Sequence, residues 1–262
     1  MLSVINIKLK PPKRRRIMSA EHIVAAKAKK ITLDTKKGKK EAYLVKDPAK
    51  TFNHQELEKI FKDFYPVAMS AFGTNDSGEW RGDVWFHMFS CDCLILAYNW
   101  RTKYADKEMV SKGIAFRSIS YAKIKGKKVM YIEGTAVDPN YQGYGFYQAF
   151  TRATLNGFDY VASRTQNPVV VTALSKVFRD VYPITKAPTK EQQEIGAVLA
   201  DKLGMQKKYD KRRMFARSLY SGQMNGNLPK IDNEIKRRMY HLLDVENGDC
   251  ILALCKTNHF KK

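Results

Sequence analysis

The chain has 262 residues, is 44% hydrophobic and 28% charged, and carries a formal net charge of +21. This is a globular composition, long enough to bury one generous hydrophobic core or two modest ones. No apolar run reaches the ~20 residues that a membrane-spanning helix needs, and the N-terminus lacks the apolar stretch of a secretory signal. An intracellular protein is expected, cytoplasmic or in the nucleoid or nucleus, and not a secreted one.

In chain order, residues 1–40 read as a basic N-terminal arm, disordered or carrying a short basic helix near 20–30, ahead of a strand at 41–46. Residues 1–50 hold fifteen Lys/Arg against four acids, more than half of the net charge. Leu57, Ile60, Phe61, Phe64, Val67, Ala68 and Phe72 recur at helical spacing, predicting an amphipathic helix over 52–72 with His54 near its start. Gly, Asn and Asp turn signals follow. The aromatic cluster Trp80, Trp85, Phe86 and Phe89 then suits either core packing or the wall of a substrate pocket.

Residues 92–100, 113–124 and 128–137 are rich in β-formers and predict three strands, the last two joined by a tight turn at Lys125-Gly126-Lys127. The third strand runs into Val137-Asp138-Pro139-Asn140-Tyr141-Gln142-Gly143-Tyr144-Gly145-Phe146, and a helix is predicted from Phe146 to Leu155. Two glycines two apart let the backbone approach a ligand. The first-turn amides of the helix, which have no intrahelical acceptor, then face an anion with the positive end of the helix dipole behind them. A dinucleotide fingerprint is excluded because Gln148 stands where a third glycine is needed, and a P-loop because Gly-Lys-Ser/Thr is absent.

A fourth strand is predicted at 159–163, and Asn167-Pro168 opens a helix through Val170, Val171, Leu174 and Phe178. Tyr182-Pro183 closes a helix, 189–203 forms another that stops at Gly204, Asn225-Gly226-Asn227 marks a loop, and a helix at 232–242 and a strand at 250–256 complete the chain.

The turn Gln142-Gly143-Tyr144-Gly145, preceded by Val137-Asp138-Pro139, resembles the acyl-CoA signature of the Gcn5-related N-acetyltransferase superfamily. The order strand, hairpin, glycine turn, helix, strand, Asn, helix over about 92–178 is similar to that superfamily's core. The resemblance implies an α/β (α+β) fold: a mixed, mostly antiparallel central sheet flanked by helices, within a domain over 41–262 that has a core at 92–178 and a helical C-terminal extension at 179–262.

It implies acetyl-CoA as co-substrate and transfer of its acetyl group to an amine. Backbone amides of Gly143, Tyr144, Gly145, Phe146 and Tyr147 would hold the diphosphate together with Gln142, and main-chain groups of Ala136 and Val137 would pair with the pantetheine arm. Glu133 falls where many members place the base, and its other reading is a surface carboxylate or the partner of a lysine on the next strand. Asn167 matches an asparagine that contacts the cofactor, and helix capping is its second role. Two departures stand out. The tyrosine that often serves as acid falls on Leu174, leaving Tyr182, Tyr144 or water, and Tyr147 puts a bulky ring in the first helical turn, where it would crowd the phosphates.

Cys91, Cys93, Cys250 and Cys255 lack the spacing of a zinc knuckle, so thiols and no metal site are expected. Lys/Arg clusters near 8–40, 207–217 and 236–238 suggest contact with nucleic acid or a nucleoprotein particle, or simply solvated faces. Two function classes therefore stand. One is an acetyltransferase for an amine on an acidic or nucleic-acid-associated substrate; the other is a catalytically inactive scaffold that binds nucleic acid or serves assembly.

Overall fold

A computed structural model describes residues 19–74, 76–103, 108–224 and 230–260. Ser19 caps α1 (Ala20–Lys27), which leads into an edge hairpin, β1 (Lys29–Thr35) and β2 (Gly38–Lys46). The single turn α2 (Pro48–Thr51) precedes α3 (His54–Phe72), whose start is fixed by a capping box between Asn53 and Glu56. Then come α4 (Gly78–Phe89), β3 (Cys93–Lys103), β4 (Glu108–Ile124), β5 (Lys127–Val137), α5 (Phe146–Thr154), β6 (Tyr160–Thr165) and α6 (Pro168–Ser175). A second capping box, Thr189 with Gln192, starts α7 (Lys190–Lys202). The short strands β7 (Tyr209–Asp210) and β8 (Phe215–Ala216), α8 (Glu234–Leu242) and β9 (Cys250–Lys256) follow.

Among the described residues, nine strands form one sheet in the order β1-β2-β3-β4-β5-β6-β9-β8-β7. Every neighbouring pair is antiparallel except β5 and β6, which are parallel with α5 as their crossover. The expected mixed, mostly antiparallel sheet flanked by helices is therefore present. On one face α5, α6 and α8 bury a core that includes Ile95, Met130, Ile132, Phe150, Leu174 and Ile251. On the other face, α1, α3 and α4 cover Tyr43, Leu94, Leu96 and Phe116, while α7 covers Val129, Tyr131, Tyr160 and Leu252. Between α4 and α7 this second face is left open over β5 and β6. Among the described residues, no helix is long and apolar enough to cross a membrane.

Two expectations change. Residues 20–40 are not an arm: α1 buries Ile23 and Val24, and the lysine-rich β1 pairs with β2 along its whole length, its inward side held by buried Leu33 and half-buried Ile31. Residues 1–18 of the expected arm and the 225–227 loop lie outside the described residues. The aromatic cluster at 80–89 lies on α4, which is capped by Ser77. No helix ends at Tyr182-Pro183: that bond is a cis peptide in an irregular segment, where Tyr182 bridges Leu254.

Half-buried Asp63, on α3, generates a test. Burial pushes its carboxyl up to about 6, with repulsion from Glu21 adding to the effect. The folded chain thus binds this proton more tightly than the unfolded chain, whose carboxyl has its ordinary value of 3.8. Stability contributed here falls as pH rises through that interval and stays low above it. Asp63→Asn should exceed wild type by about 1–2 kcal/mol at pH 8, allowing for partial exposure, and lose the advantage near pH 4. Urea denaturation at both pH values checks this.

Candidate active site

The site is built on β5. Its pairing with β4 slips between Ser118 and Ile119: Ser118 lies opposite Gly134 and Ile119 opposite Ile132, so Glu133 is the extra residue of a β-bulge. The slip exchanges the two faces. Met130 and Ile132 point to the α5 side, whereas four residues beyond Ile132 Ala136 points to the α3 side. Glu133 is turned to the same side as Tyr131, into the opening between α4 and α7.

There a cleft of about 260 Å³ is lined by Phe86 and His87 from α4, Tyr131 and Glu133 from β5, Arg164 from β6, and Lys202 and Leu203 from the end of α7. The Glu133 side chain is only 14% exposed. One carboxylate oxygen accepts a short hydrogen bond from Ser120 Oγ, and the other lies 3.3 Å from His87 Nδ1. On its far side, His87 Nε2 is 3.6 Å from the Asp83 carboxylate, which is half exposed. The partners of Glu133 are thus a hydroxyl and an imidazole rather than a strand lysine. Burial pushes the Tyr131 phenol well above its ordinary value, so it stays protonated.

Parallel pairing of β5 with β6 runs from Val129–Tyr160 to Ile132–Ser163 and stops, while β5 continues to Val137 and β6 to Thr165. The two strands separate beyond the bulge, and β5 ends at the glycine turn. Gly143 and Gly145 have φ of +78° and +87°, and Gly145 is the N-cap of α5 with no side-chain cap. The amides of Phe146, Tyr147 and Gln148 are therefore free of intrahelical acceptors. Gln142 points back along the turn, its Nε2 donating to the Val137 carbonyl at 3.3 Å, and fastens the turn to β5. The β1–β2 turn is docked on the same corner: Lys36 N donates to the Tyr144 carbonyl at 2.8 Å, and Lys37 Nζ lies 5.9 Å from the centre of the Tyr144 ring.

Tyr147 does not crowd this corner. Its ring turns under α5 onto Arg117, whose guanidinium carbon is 4.1 Å from the ring centre. Arg117 is fully buried, donates to Thr135 Oγ1 at 2.9 Å and Thr151 Oγ1 at 2.7 Å, and leaves Nη2 without a partner. Burial lowers it to about 10, which still leaves it charged at neutral pH. Asn167 caps α6, its side chain accepting from Val169 N at 2.9 Å. Leu174 is core. Tyr182 is buried away from the cleft, its hydroxyl 3.4 Å from Asp180. Glu133, Ala136, Val137 and the 142–147 turn are thus brought together along one strand and its exit, and Tyr182 is not among them.

Sequence reasoning missed Ser120, His87, Tyr131, Arg164 and Lys202. The available signal was strand parity, which sets Tyr131 with Glu133 and Ala162 with Arg164 on one face. Much of the charge in the C-terminal basic clusters is compensated internally: Arg213 pairs with Asp210, Arg217 with Asp249, Lys236 with Asp232, and Arg237 and Arg238 with Glu234.

No protein-family model matches the sequence, and no curated protein matches it. Similar solved structures include the ribosomal-protein-S18-alanine N-acetyltransferase of Escherichia coli, 11% identical with a TM-score of 0.41 over 82% of this chain and 94% of that one. Another is the ribosomal-protein-S5-alanine acetyltransferase of Vibrio fischeri, at 12% identity and a TM-score of 0.34 over 84% and 96% of the two chains. A third is a mosquito arylalkylamine N-acetyltransferase-like protein, at 11% identity and a TM-score of 0.33 over 82% and 99%.

Because the Tyr147 ring is directed at the sheet and its buried hydroxyl has at most a weak contact with Ser163, Tyr147→Phe should change stability by no more than ~1 kcal/mol. Tyr147→Ala should cost about 3 kcal/mol by opening a cavity over Arg117. Thermal denaturation of the two variants separates these outcomes.

Proposed function

We propose that the chain transfers an acetyl group from acetyl-CoA to a primary amine held in the cleft beside Glu133. What carries the reading is that one strand serves both substrates: the bulge in β5 turns a buried carboxylate into the cleft, and the same strand ends at an uncapped helix N-terminus suited to a diphosphate. The residues present fit coenzyme A. The free amides at the start of α5 suit its diphosphate, Lys36 and Lys37 stand beside them, and the diverging edges of β5 and β6 leave backbone for an extended pantetheine arm.

When bound, the co-substrate supplies an activated acyl group, and the proton chemistry falls to this chain. An amine attacks only as the neutral base, and Glu133 is the carboxylate in the cleft that takes the ammonium proton. Ser120 and His87 fix its orientation, and His87 with Asp83 forms a path for the proton toward solvent. With Leu174 in the core and the Ser120 hydroxyl committed to Glu133, the hydroxyl that lines the cleft is that of Tyr131, which we assign the return of a proton to the leaving group.

Acetyl-CoA at a hundred times its Kd should stabilise the protein by about 2.7 kcal/mol. Glu133→Gln should keep that stabilisation while kcat falls by about 10²–10⁴-fold. Thermal shift and thiol-release assays read the two effects separately; a wild-type melting temperature unmoved by ~1 mM acetyl-CoA would overturn the proposal.

A further inference from the structure

We infer that the cleft selects acceptors in which the primary amine is joined by a short spacer to an anionic group, a carboxylate or a phosphate. This rests on the reading of Glu133 as the amine end of the site and adds what occupies the other end. Arg164 projects into the cleft from β6, and Lys202 stands at the last turn of α7. Among the described residues neither makes an ion pair with a carboxylate, although cations nearby do: Lys125 holds Glu194 at 2.5 Å, and Arg217 holds Asp249. The Arg164 guanidinium lies against the face of Tyr220, 5.2 Å from its centre, half-buried and directed into a concave site.

A guanidinium withdrawn from water and left without a carboxylate presents a planar fork that matches carboxylate or phosphate oxygens. The cleft therefore has an acidic wall, Glu133 with His87, and a basic wall, Arg164 with Lys202. A zwitterion satisfies both walls; a simple alkylamine satisfies only one. At about 260 Å³ the space falls below the ~300–1,000 Å³ of sites for drug-sized ligands, so the spacer is short. Phe86, 60% exposed beside the cleft, gives that spacer an apolar contact.

The test is calorimetric titration of the full chain, free and saturated with CoA, with matched pairs of probes. These are ω-amino acids from glycine to 6-aminohexanoate against the corresponding alkylamines, and phosphoethanolamine against ethanolamine. We expect at least one anionic member to bind about tenfold or more tightly than its neutral partner, the carboxylate and phosphate arms showing which anion is preferred. Arg164→Gln should remove most of that preference and leave alkylamine binding unchanged, with Arg164→Lys restoring part of it. Lys202→Gln, at an exposed position, should weaken the preference without disturbing the fold.

Equal affinities within every pair, a preference that survives Arg164→Gln with Lys202→Gln, or binding confined to acidic peptides would each overturn the inference. Acetyl-CoA binding with no discrimination among acceptors would sink the inference alone. Discrimination without acetyl-CoA binding would instead sink the acyltransferase reading and leave an anion-selective amine site.

Discussion

The end of the short parallel pairing between β5 and β6 is the constraint on which the rest of the site depends. A parallel pair needs a crossover, and the crossover is α5, so its N-terminus must lie where β5 leaves the sheet. Had β5 stayed paired with β6 to Val137, its backbone groups would be consumed by the ladder and the glycine turn would open onto a closed sheet. Instead that pairing stops at Ile132, one residue before the bulge at Glu133. The bulge reverses which side chains of β5 face which layer. The strand that turns a carboxylate into the cleft at its bulge thus also ends at a helix N-terminus with no side-chain cap.

Around this point the molecule tolerates electrostatics that a merely structural core would avoid. Among the described residues, Arg117 is buried with two threonine hydroxyls and an aromatic face but no carboxylate, and one of its nitrogens is unpartnered. Burying a cation costs several kcal/mol unless it is compensated, and here the compensation is partial. The guanidinium lies under the first two turns of α5, close to Tyr147 and Thr151. Its positive charge therefore adds to that of the helix N-terminus, which favours an anion at the glycine turn at the expense of folding stability.

Much of the fold was legible because its signals are local. The strand at Cys250–Lys256, the capped starts of α3, α6 and α7, and the strand, turn and helix around Gly143 and Gly145 each depend on residues within a few positions of one another. The misreadings share a different cause. β1 presents Lys29, Lys30, Asp34 and a single buried Leu33, a charged edge strand whose composition resembles a solvated tail. The spacing of residues 78–89 does not disclose α4, because Gly78 and Gly82 and a crowd of aromatics obscure the helical period, and the helix is held by packing of Trp85 and Phe89 on Phe61 of α3. The bulge has no sequence signature beyond Gly134, so strict alternation along β5 assigns Ala136 to the wrong layer.

The site was legible only where the chain keeps its chemistry on one strand. Glu133 and the glycine turn lie within a dozen residues, and their spacing along β5 survives folding. The partners of Glu133 come from elsewhere: Ser120 from β4, His87 from α4, and the opposing cations from β6 and α7. Leu174 shows why the proton donor in the proposed reaction cannot be found by counting along α6. That helix packs its Val171 and Leu174 into the core beneath α5 and α8, on the face of the sheet opposite to Glu133. A hydroxyl at position 174 would be separated from the cleft by the sheet itself, so any donor must come from the side on which Tyr131 already stands.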